Sequence, residues 1–182
     1  MSYEKVIITI SGYHGVGKTT VAKLISQKLG IRHISSGLLF RKIAKERGVS
    51  IEKLSKMAEE DPTIDRLIDD RLIEEASKGG IVADALLAGW LLKDIATLKV
   101  WLKAPLEVRV KRIAEREGKD YETAYKETLE RELSEKKRFK LLYNIDLDDL
   151  SIYDYVISTH MITITTLKRI VALIVKDVVK RL

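Results

Sequence analysis

The sequence of 182 residues contains no cysteine. Disulfide bonds and thiolate metal sites are therefore excluded. It also lacks any apolar run that approaches the ~20 residues of a membrane-spanning helix, and no basic segment with a long apolar stretch precedes the first predicted strand. The length suits one domain. We therefore expect a single cytoplasmic domain that makes no membrane contact.

Aromatic residues are scarce, at 6% of the chain, whereas charged residues make up 33%. Lys and Arg exceed Asp and Glu by 33 − 27 = 6, which indicates polyanionic partners such as nucleic acids or phosphorylated small molecules. Because the few aromatic residues are not interleaved with the basic runs, no stacking platform for nucleic-acid bases is evident. We expect no nucleic-acid partner.

Apolar segments alternate with helical patterns along the chain. Strands are predicted at 6–10, 31–35, 81–84, 98–102 and 155–157, and helices at 18–29, from 37, within 50–77, after 105, at 121–143 and at 163–182. This alternation predicts an α/β fold with five parallel strands flanked by helices. We expect one domain, with a core of residues 1–35, 80–117 and 150–182. Two helix-rich insertions, 36–79 and 118–143, are expected to move over it as lids.

The strongest signal is a glycine-rich turn, G-x-x-x-x-G-K-T at residues 12–19, between the first predicted strand and the first helix. Glycines let successive backbone N–H groups point at one phosphate, and the helix N-terminus favours negative charge there. Lys18 is expected to reach the β- and γ-phosphates, and Thr19 to offer its hydroxyl to Mg²⁺. The predicted ATP-binding residues of this loop are Gly12, Tyr13, His14, Gly15, Val16, Gly17, Lys18, Thr19 and Thr20. The side chain of His14 either contacts phosphate or the acceptor, or it faces solvent.

Nucleoside triphosphate binding does not by itself imply a kinase, because switches and motors share the loop. A kinase must also hold a second phosphate, and arginine suits this because its planar fork binds phosphate oxygens bidentately. Three groups of arginines have spacings that would let them hold this second phosphate. They are Ser36 with Arg41 after the second strand, Arg109 with Arg112 and Arg116 on one helix face, and Arg131 with Glu135 and Arg138 on another. Each set is otherwise explained as a salt-bridged, solvated helix face.

Asp84 ends the third predicted strand. An acidic residue at this point commonly helps to hold Mg²⁺ in proteins with such a loop, and here it would act through water. The alternative is that Asp84 only caps a helix.

Taken together, the phosphate loop, Ser-Gly-x-x-Phe-Arg at 36–41, the arginine-rich segment and Ser-Ile-Tyr-Asp at 151–154 resemble archaeal cytidylate kinases. The resemblance extends over nearly the whole chain, through segments 36–41, 88–90, 101–109, 131–138 and 146–154. It implies transfer of the γ-phosphoryl group of ATP to CMP or dCMP, with Mg²⁺, by a protein that is a monomer or a weak homo-oligomer.

The resemblance also implies roles for individual residues. Ser36, Gly37, Arg41, Asp84 and Glu135 would bind the acceptor nucleotide. Lys18, Arg131 and Arg138 would act on the transferring group, and Arg112 and Arg116 would contact ATP.

One departure concerns the acceptor. After the third strand the family usually carries an acid-Gly-Arg run, where this chain has Asp84-Ala85-Leu86. Either Arg41 and the other arginines suffice to hold the acceptor phosphate, or the acceptor is UMP, AMP or a non-nucleotide metabolite. A nucleic-acid-binding ATPase and a nucleotide-binding relative without turnover are the remaining alternatives.

Overall fold

The computed structural model describes residues 3–180, except for the side chain of Val179. All five predicted strands are present, within about one residue of the predicted limits. They are β1 (Ile7–Ser11), β2 (Arg32–Ser35), β3 (Ile81–Asp84), β4 (Leu98–Lys103) and β5 (Tyr155–Ser158). The strands form one parallel sheet in the order β2-β3-β1-β4-β5. The predicted α/β fold with five parallel strands is therefore confirmed.

Eight helices lie between and after the strands within residues 3–180. They are α1 (Lys18–Leu29), α2 (Ser36–Glu46), α3 (Ile51–Glu60), α4 (Thr63–Ser77), α5 (Ala88–Leu91), α6 (Leu106–Glu117), α7 (Tyr121–Tyr143) and α8 (Ile164–Lys180). The sequence predicts all of them except α5, which is a single turn. The final predicted helix extends to 182, but residues 181 and 182, like 1 and 2 of the predicted core, lie outside the described part of the chain.

The sheet is buried because its central strands carry β-branched side chains on both faces. Ile8, Ile10, Val82 and Val100 pack with the apolar faces of α1 and α8, while Ile7 and Ile81 pack with residues of α4 and α5. A parallel sheet needs this cover on both sides. None of the helices between residues 3 and 180 has the length and apolar character that crossing a bilayer requires.

The start of α4 differs from the predicted one by one residue. The cap position is occupied by Pro62 and not by the predicted Asp61, although Oδ1 of Asp61 accepts a hydrogen bond from the backbone N–H of Thr63 at 3.0 Å. The helix then begins at Thr63 and not at Pro62. Because α3 ends just before Asp61, residues 36–77 form three helices, α2, α3 and α4, packed on one another around Phe40, Leu54 and Ile64.

Candidate active site

A cavity of about 440 Å³ opens at the carboxyl ends of β1, β2 and β3. In open α/β sheets this edge is where ligands bind. The phosphate loop, α2, α4, α6 and α7 enclose it. Of the residues predicted for the site, the cavity is lined by His14, Gly15, Gly17, Lys18, Thr19, Thr20, Ser36, Gly37, Arg41, Asp84, Arg112, Arg116, Arg131, Glu135 and Arg138. The fold therefore gathers these distant segments in one place.

The other three predicted residues, Gly12, Tyr13 and Val16, do not line the cavity. Val16 is buried in the main core. A side chain on Gly12 would place its Cβ only 2.2 Å from the carbonyl oxygen of Leu102. The ring of Tyr13 packs edge-on against Trp101. These three residues fix the loop to the sheet, and a ligand contact for them stays a prediction.

Lys18 lies at the centre of the phosphate loop. Its Nζ donates to the carbonyl oxygens of Gly12 at 2.6 Å and Tyr13 at 3.1 Å, so the loop curls around the ammonium group. Burial lowers the pKa of Lys18 to about 8, although the carboxylate of Asp84 opposes this. The backbone of Gly15 and Gly17 has positive φ, 79° and 97°, which favours glycine at both positions.

His14 connects this loop to α7. Its Nε2 lies 2.7 Å from Oε2 of Glu135, and Oε1 of Glu135 accepts a hydrogen bond from Nε of Arg131 at 3.0 Å. Burial, together with the charge of Arg131, lowers the pKa of His14 to about 4. Burial alone would raise the pKa of the Glu135 carboxyl, but His14 and Arg131 hold it well below its usual range. The side chain of His14 is thus held against α7 by Glu135 and does not face solvent.

Three of the predicted acceptor residues, Ser36, Gly37 and Arg41, lie in α2, which follows β2 directly. Oγ of Ser35 accepts a hydrogen bond from the backbone N–H of Leu38. This hydrogen bond caps the N-terminus of α2. The next residue, Ser36, has a buried Oγ without a hydrogen-bond partner in residues 3–180. One turn further, Arg41 is half-buried, and burial together with Arg116 and Arg131 lowers its pKa. Within the described chain Arg41 forms no ion pair, so its guanidinium is available to an anion.

The arginines of α6 have three different environments. Arg109 is buried, pairs with Glu132 and donates to the carbonyl oxygen of His14 at 3.1 Å. Arg112 donates to the carbonyl oxygens of Gly15 at 3.3 Å and Thr159 at 3.1 Å. Arg109 and Arg112 therefore brace the phosphate loop.

Arg116 is more exposed and pairs with the adjacent Glu117 at 2.6 Å. Contacts of Arg112 and Arg116 with ATP stay predictions.

Arg138 makes a buried connection between α7 and α4. Its Nε donates to Oδ2 of Asp65 at 2.6 Å and its Nη2 to Oδ1 at 3.4 Å. Nη1 donates to Oγ of Ser134 and lies 3.4 Å from the carbonyl oxygen of Ser55. All of its donor nitrogens are thus engaged within the protein, and the predicted action of Arg138 on the transferring group stays a prediction.

Asp84 has surroundings that fit a magnesium site. Burial would raise the pKa of its carboxyl, but His33 and Lys18 hold it below its ordinary value. Nε2 of His33 lies 3.5 Å from Oδ2 of Asp84, and both atoms are buried without a closer partner. A carboxylate and the hydroxyl of Thr19 are hard oxygen donors of the kind that Mg²⁺ prefers.

No group of three His, Asp or Glu side chains within residues 3–180 could hold a metal ion by itself. Any Mg²⁺ at Asp84 and Thr19 would therefore take its remaining ligands from outside the protein, as water or phosphate oxygens.

Sequence reasoning missed two carboxylates that line the cavity, Asp65 and Asp69 of α4. Both are buried. Oδ2 of Asp69 accepts a hydrogen bond from the hydroxyl of Tyr143 at 2.8 Å. A signal existed, because the two acids fall on the same helix face as the apolar Ile64, Ile68 and Leu72.

Comparison with solved structures shows the same fold in other proteins. A shikimate kinase from Acinetobacter baumannii, solved in complex with shikimate, is similar with a TM-score of 0.62 and 21% identity, over 96% of each chain. A shikimate kinase from Aquifex aeolicus has a TM-score of 0.58 at 16% identity, over 94% of this chain and 96% of the other. At these identities the likeness establishes the fold alone.

Sequence comparison goes further. The model of the cytidylate kinase-like family matches residues 7–161. A cytidylate kinase from Pyrococcus horikoshii is 48% identical over 159 residues, which cover 87% of this chain and 82% of the relative. A cytidylate kinase from Methanocaldococcus jannaschii is 51% identical over 156 residues, which cover 84% and 88%. The chain therefore belongs to the cytidylate kinase-like family.

Proposed function

We propose that this chain transfers the γ-phosphoryl group of ATP to CMP or dCMP, giving ADP and CDP or dCDP. The observation that carries the proposal is the unpaired Arg41, which lines the same cavity as the phosphate loop. A nucleotide-binding switch needs one phosphate site, whereas phosphoryl transfer needs two that face each other. Arg41, beside the buried hydroxyl of Ser36, supplies the second site.

ATP binds at the phosphate loop in this proposal. The backbone N–H groups of residues 12–20 surround its phosphates, and Arg112 and Arg116 approach from α6. Lys18 exchanges its hydrogen bonds to the loop carbonyls for the β- and γ-phosphates. Thr19 and Asp84 would hold Mg²⁺, Asp84 through water. When bound, the ion neutralises phosphate charge and orients the transferring group.

The acceptor binds opposite, with its phosphate on Arg41 and beside Ser36, Gly37, Asp84 and Glu135. The transfer then proceeds in line, without a covalent enzyme intermediate, because positioning and charge neutralisation suffice for this chemistry. Lys18, Arg131 and Arg138 neutralise the charge that develops between the two nucleotides. For Arg138 this requires release of its ion pair with Asp65.

Exclusion of water completes the proposal. Residues 36–79 form the acceptor-binding insertion and residues 118–143 form the lid over the core, and their closure keeps ATP from hydrolysis. The proposal takes the protein as a monomer or a weak homo-oligomer.

The test is diphosphate formation from ATP and Mg²⁺ with CMP, dCMP, UMP, AMP and GMP in turn. We expect rapid formation of CDP and dCDP, and little hydrolysis of ATP when no acceptor is present. Lys18→Ala should abolish transfer while the thermal midpoint stays within a few degrees, and Lys23→Ala, at an exposed position of α1, should change neither. Transfer by the Lys18→Ala variant would contradict the role of Lys18.

A second candidate acceptor class is favoured by Leu86. This side chain is buried against Leu87, Trp101 and Phe139 and lines the cavity, where an arginine would offer a charge to the acceptor phosphate. If UMP, AMP or a non-nucleotide metabolite is phosphorylated faster than CMP, the chain is a related kinase whose acceptor specificity has changed. Rapid CDP formation would instead show that an arginine at position 86 is dispensable.

A further inference from the structure

The part of the cavity formed by α4 and the second half of α7 has a different character from the phosphate end. Its walls are the apolar side chains of Phe40, Ile68, Leu86 and Phe139. Apolar walls suit a nucleotide base, which is weakly hydrated on its faces. The polar groups in such a pocket fix which base binds, because a small number of buried donors and acceptors give the specificity.

Two carboxylates stand among these apolar walls, and within the described residues only Asp69 has an oxygen without a hydrogen-bond partner. Both oxygens of Asp65 accept hydrogen bonds from Arg138, at 2.6 and 3.4 Å. Asp69 is 7% exposed and receives a single hydrogen bond, from the hydroxyl of Tyr143 to Oδ2 at 2.8 Å. Its Oδ1 accepts none from the residues that the structure describes. Tyr143 therefore fixes the carboxyl group and leaves one oxygen to the contents of the cavity.

We propose, on the basis of the proposed function, that Oδ1 of Asp69 accepts a hydrogen bond from the exocyclic amino group of the acceptor base. Cytosine carries this amino group, an N–H donor, on its ring. Uracil carries a carbonyl oxygen at the same ring position. A carboxylate oxygen pairs with the first and is repelled by the second. Asp69 is thus a specificity residue that selects amino-bearing bases over carbonyl-bearing ones.

Both protonation states of Asp69 favour the same base. Burial raises the pKa of Asp69 to about 7, against the hydrogen bond from Tyr143, so both states are populated near neutral pH. The ionised carboxylate accepts from the amino group. The neutral acid, with its proton on Oδ2, still offers Oδ1 to the same amino group as a carbonyl acceptor.

The decisive experiment compares kcat/KM for CMP and UMP in the wild type and in Asp69→Asn. An amide keeps the size of the side chain and accepts from Tyr143, but it offers an N–H donor to a carbonyl base. We expect the CMP-to-UMP ratio to fall about 100-fold or more, since sites built to hydrogen-bond a substrate N–H discriminate strongly. Asp70→Asn is the matched control, because Asp70 is the exposed neighbour and loses the same charge.

A second measurement needs no variant. The ribonucleoside monophosphate of pyrimidin-2-one lacks the amino group and is otherwise a close copy of CMP. We expect its kcat/KM with the wild type to be at least tenfold below that of CMP, and this comparison decides if Asp69→Asn fails to fold.

Two outcomes would overturn the proposal: an unchanged CMP-to-UMP ratio in folded Asp69→Asn, or equal use of CMP and the analogue by the wild type. A wild type that phosphorylates no nucleoside monophosphate would instead overturn the proposed function itself. The two failures are therefore distinguishable.

Discussion

Nε2 of His14 lies 2.7 Å from Oε2 of Glu135 and so joins the phosphate loop to α7 across 121 positions of sequence. Because burial keeps the imidazole neutral near pH 7 and Glu135 is ionised, Nε2 carries the proton and donates a hydrogen bond to the carboxylate. Glu135 in turn accepts from Arg131 at 3.0 Å. His14 thereby determines where Glu135 lies, and Glu135 determines where Arg131 lies.

Replacing His14 by Ala should lower kcat by about 10- to 100-fold. A hydrogen bond to a charged group contributes about 1.5–3 kcal/mol, and each 1.36 kcal/mol corresponds to a factor of ten in rate. His14→Gln, whose amide can still donate to Glu135, should recover most of the activity. His160→Ala is the control, since His160 is exposed. Equal kcat in the Ala variant and the wild type would show that the contact does not position Arg131.

Replacing Arg41 by Ala should raise the KM for the acceptor by at least tenfold and leave the KM for ATP within about twofold. The physical reason is that a charge-assisted contact to phosphate is lost on the acceptor side only. Steady-state kinetics with each substrate varied in turn separates the two constants. Arg47→Ala, at the exposed end of the same helix, should change neither. A rise confined to ATP would place Arg41 on the other nucleotide.

Replacing Arg138 by Ala should lower the free energy of unfolding by about 3–5 kcal/mol, because it leaves the buried Asp65 carboxylate without its partner. Arg71→Ala removes exposed ion pairs with Glu74 and Glu75 and should cost less than about 1 kcal/mol. Urea unfolding of the two variants at one pH measures the difference. Comparable losses would mean that the Asp65 pair is as weak as one at the surface.

The stability conferred by Asp69 should depend on pH. Its pKa is about 7 in the folded protein, against an ordinary value of 3.8, so the folded state holds the proton more tightly than the unfolded state. Stability should therefore fall as pH rises from about 4 to 7, by up to about 1.4 kcal/mol for each unit of the pKa difference, and then level off. Asp69→Asn removes the titrating carboxyl group and with it this loss of stability.

Urea unfolding at pH 5 and pH 8 measures that effect. Relative to the wild type, Asp69→Asn should be more stabilising at pH 8 than at pH 5. Asp70→Asn should show a smaller difference in the same direction, because the charge of Asp70 helps to raise the pKa of Asp69. If the two pH values give the same shift for Asp69→Asn, the carboxyl is already ionised throughout the range.

The fold was predictable because each element carries its own local signals. The limits of α7 follow from Asp120, whose side chain accepts from the backbone N–H of Thr123 and caps the helix start, and from Asn144, which ends it in a left-handed conformation. Alternation of strands and helices then leaves little choice except a parallel sheet. The single turn α5 escaped prediction, since four residues hold no periodicity to detect.

That the site residues meet at one edge of the sheet was also predictable. Which charged side chains pair with each other inside the site was not. Parallel strands bring their carboxyl ends to one edge, so Lys18, Ser36 and Asp84 had to meet there. No sequence rule states that Arg138 would choose Asp65, 73 positions away. Arg41, which has no ion pair within residues 3–180, and the paired Arg138 look alike in the sequence. Only the contact of the Arg138 side chain with Asp65 of α4 distinguishes them.

The 23-residue helix α7 touches the phosphate loop through Glu135 and the acceptor side through Arg138 and Tyr143. All three residues lie within the last nine residues of α7, so a displacement of this segment moves both contacts together. On the proposed function we therefore expect the occupancy of the two nucleotide sites to be coupled, and thermodynamic reciprocity then applies. Whatever factor bound acceptor imposes on the dissociation constant of ATP, bound ATP imposes on that of the acceptor.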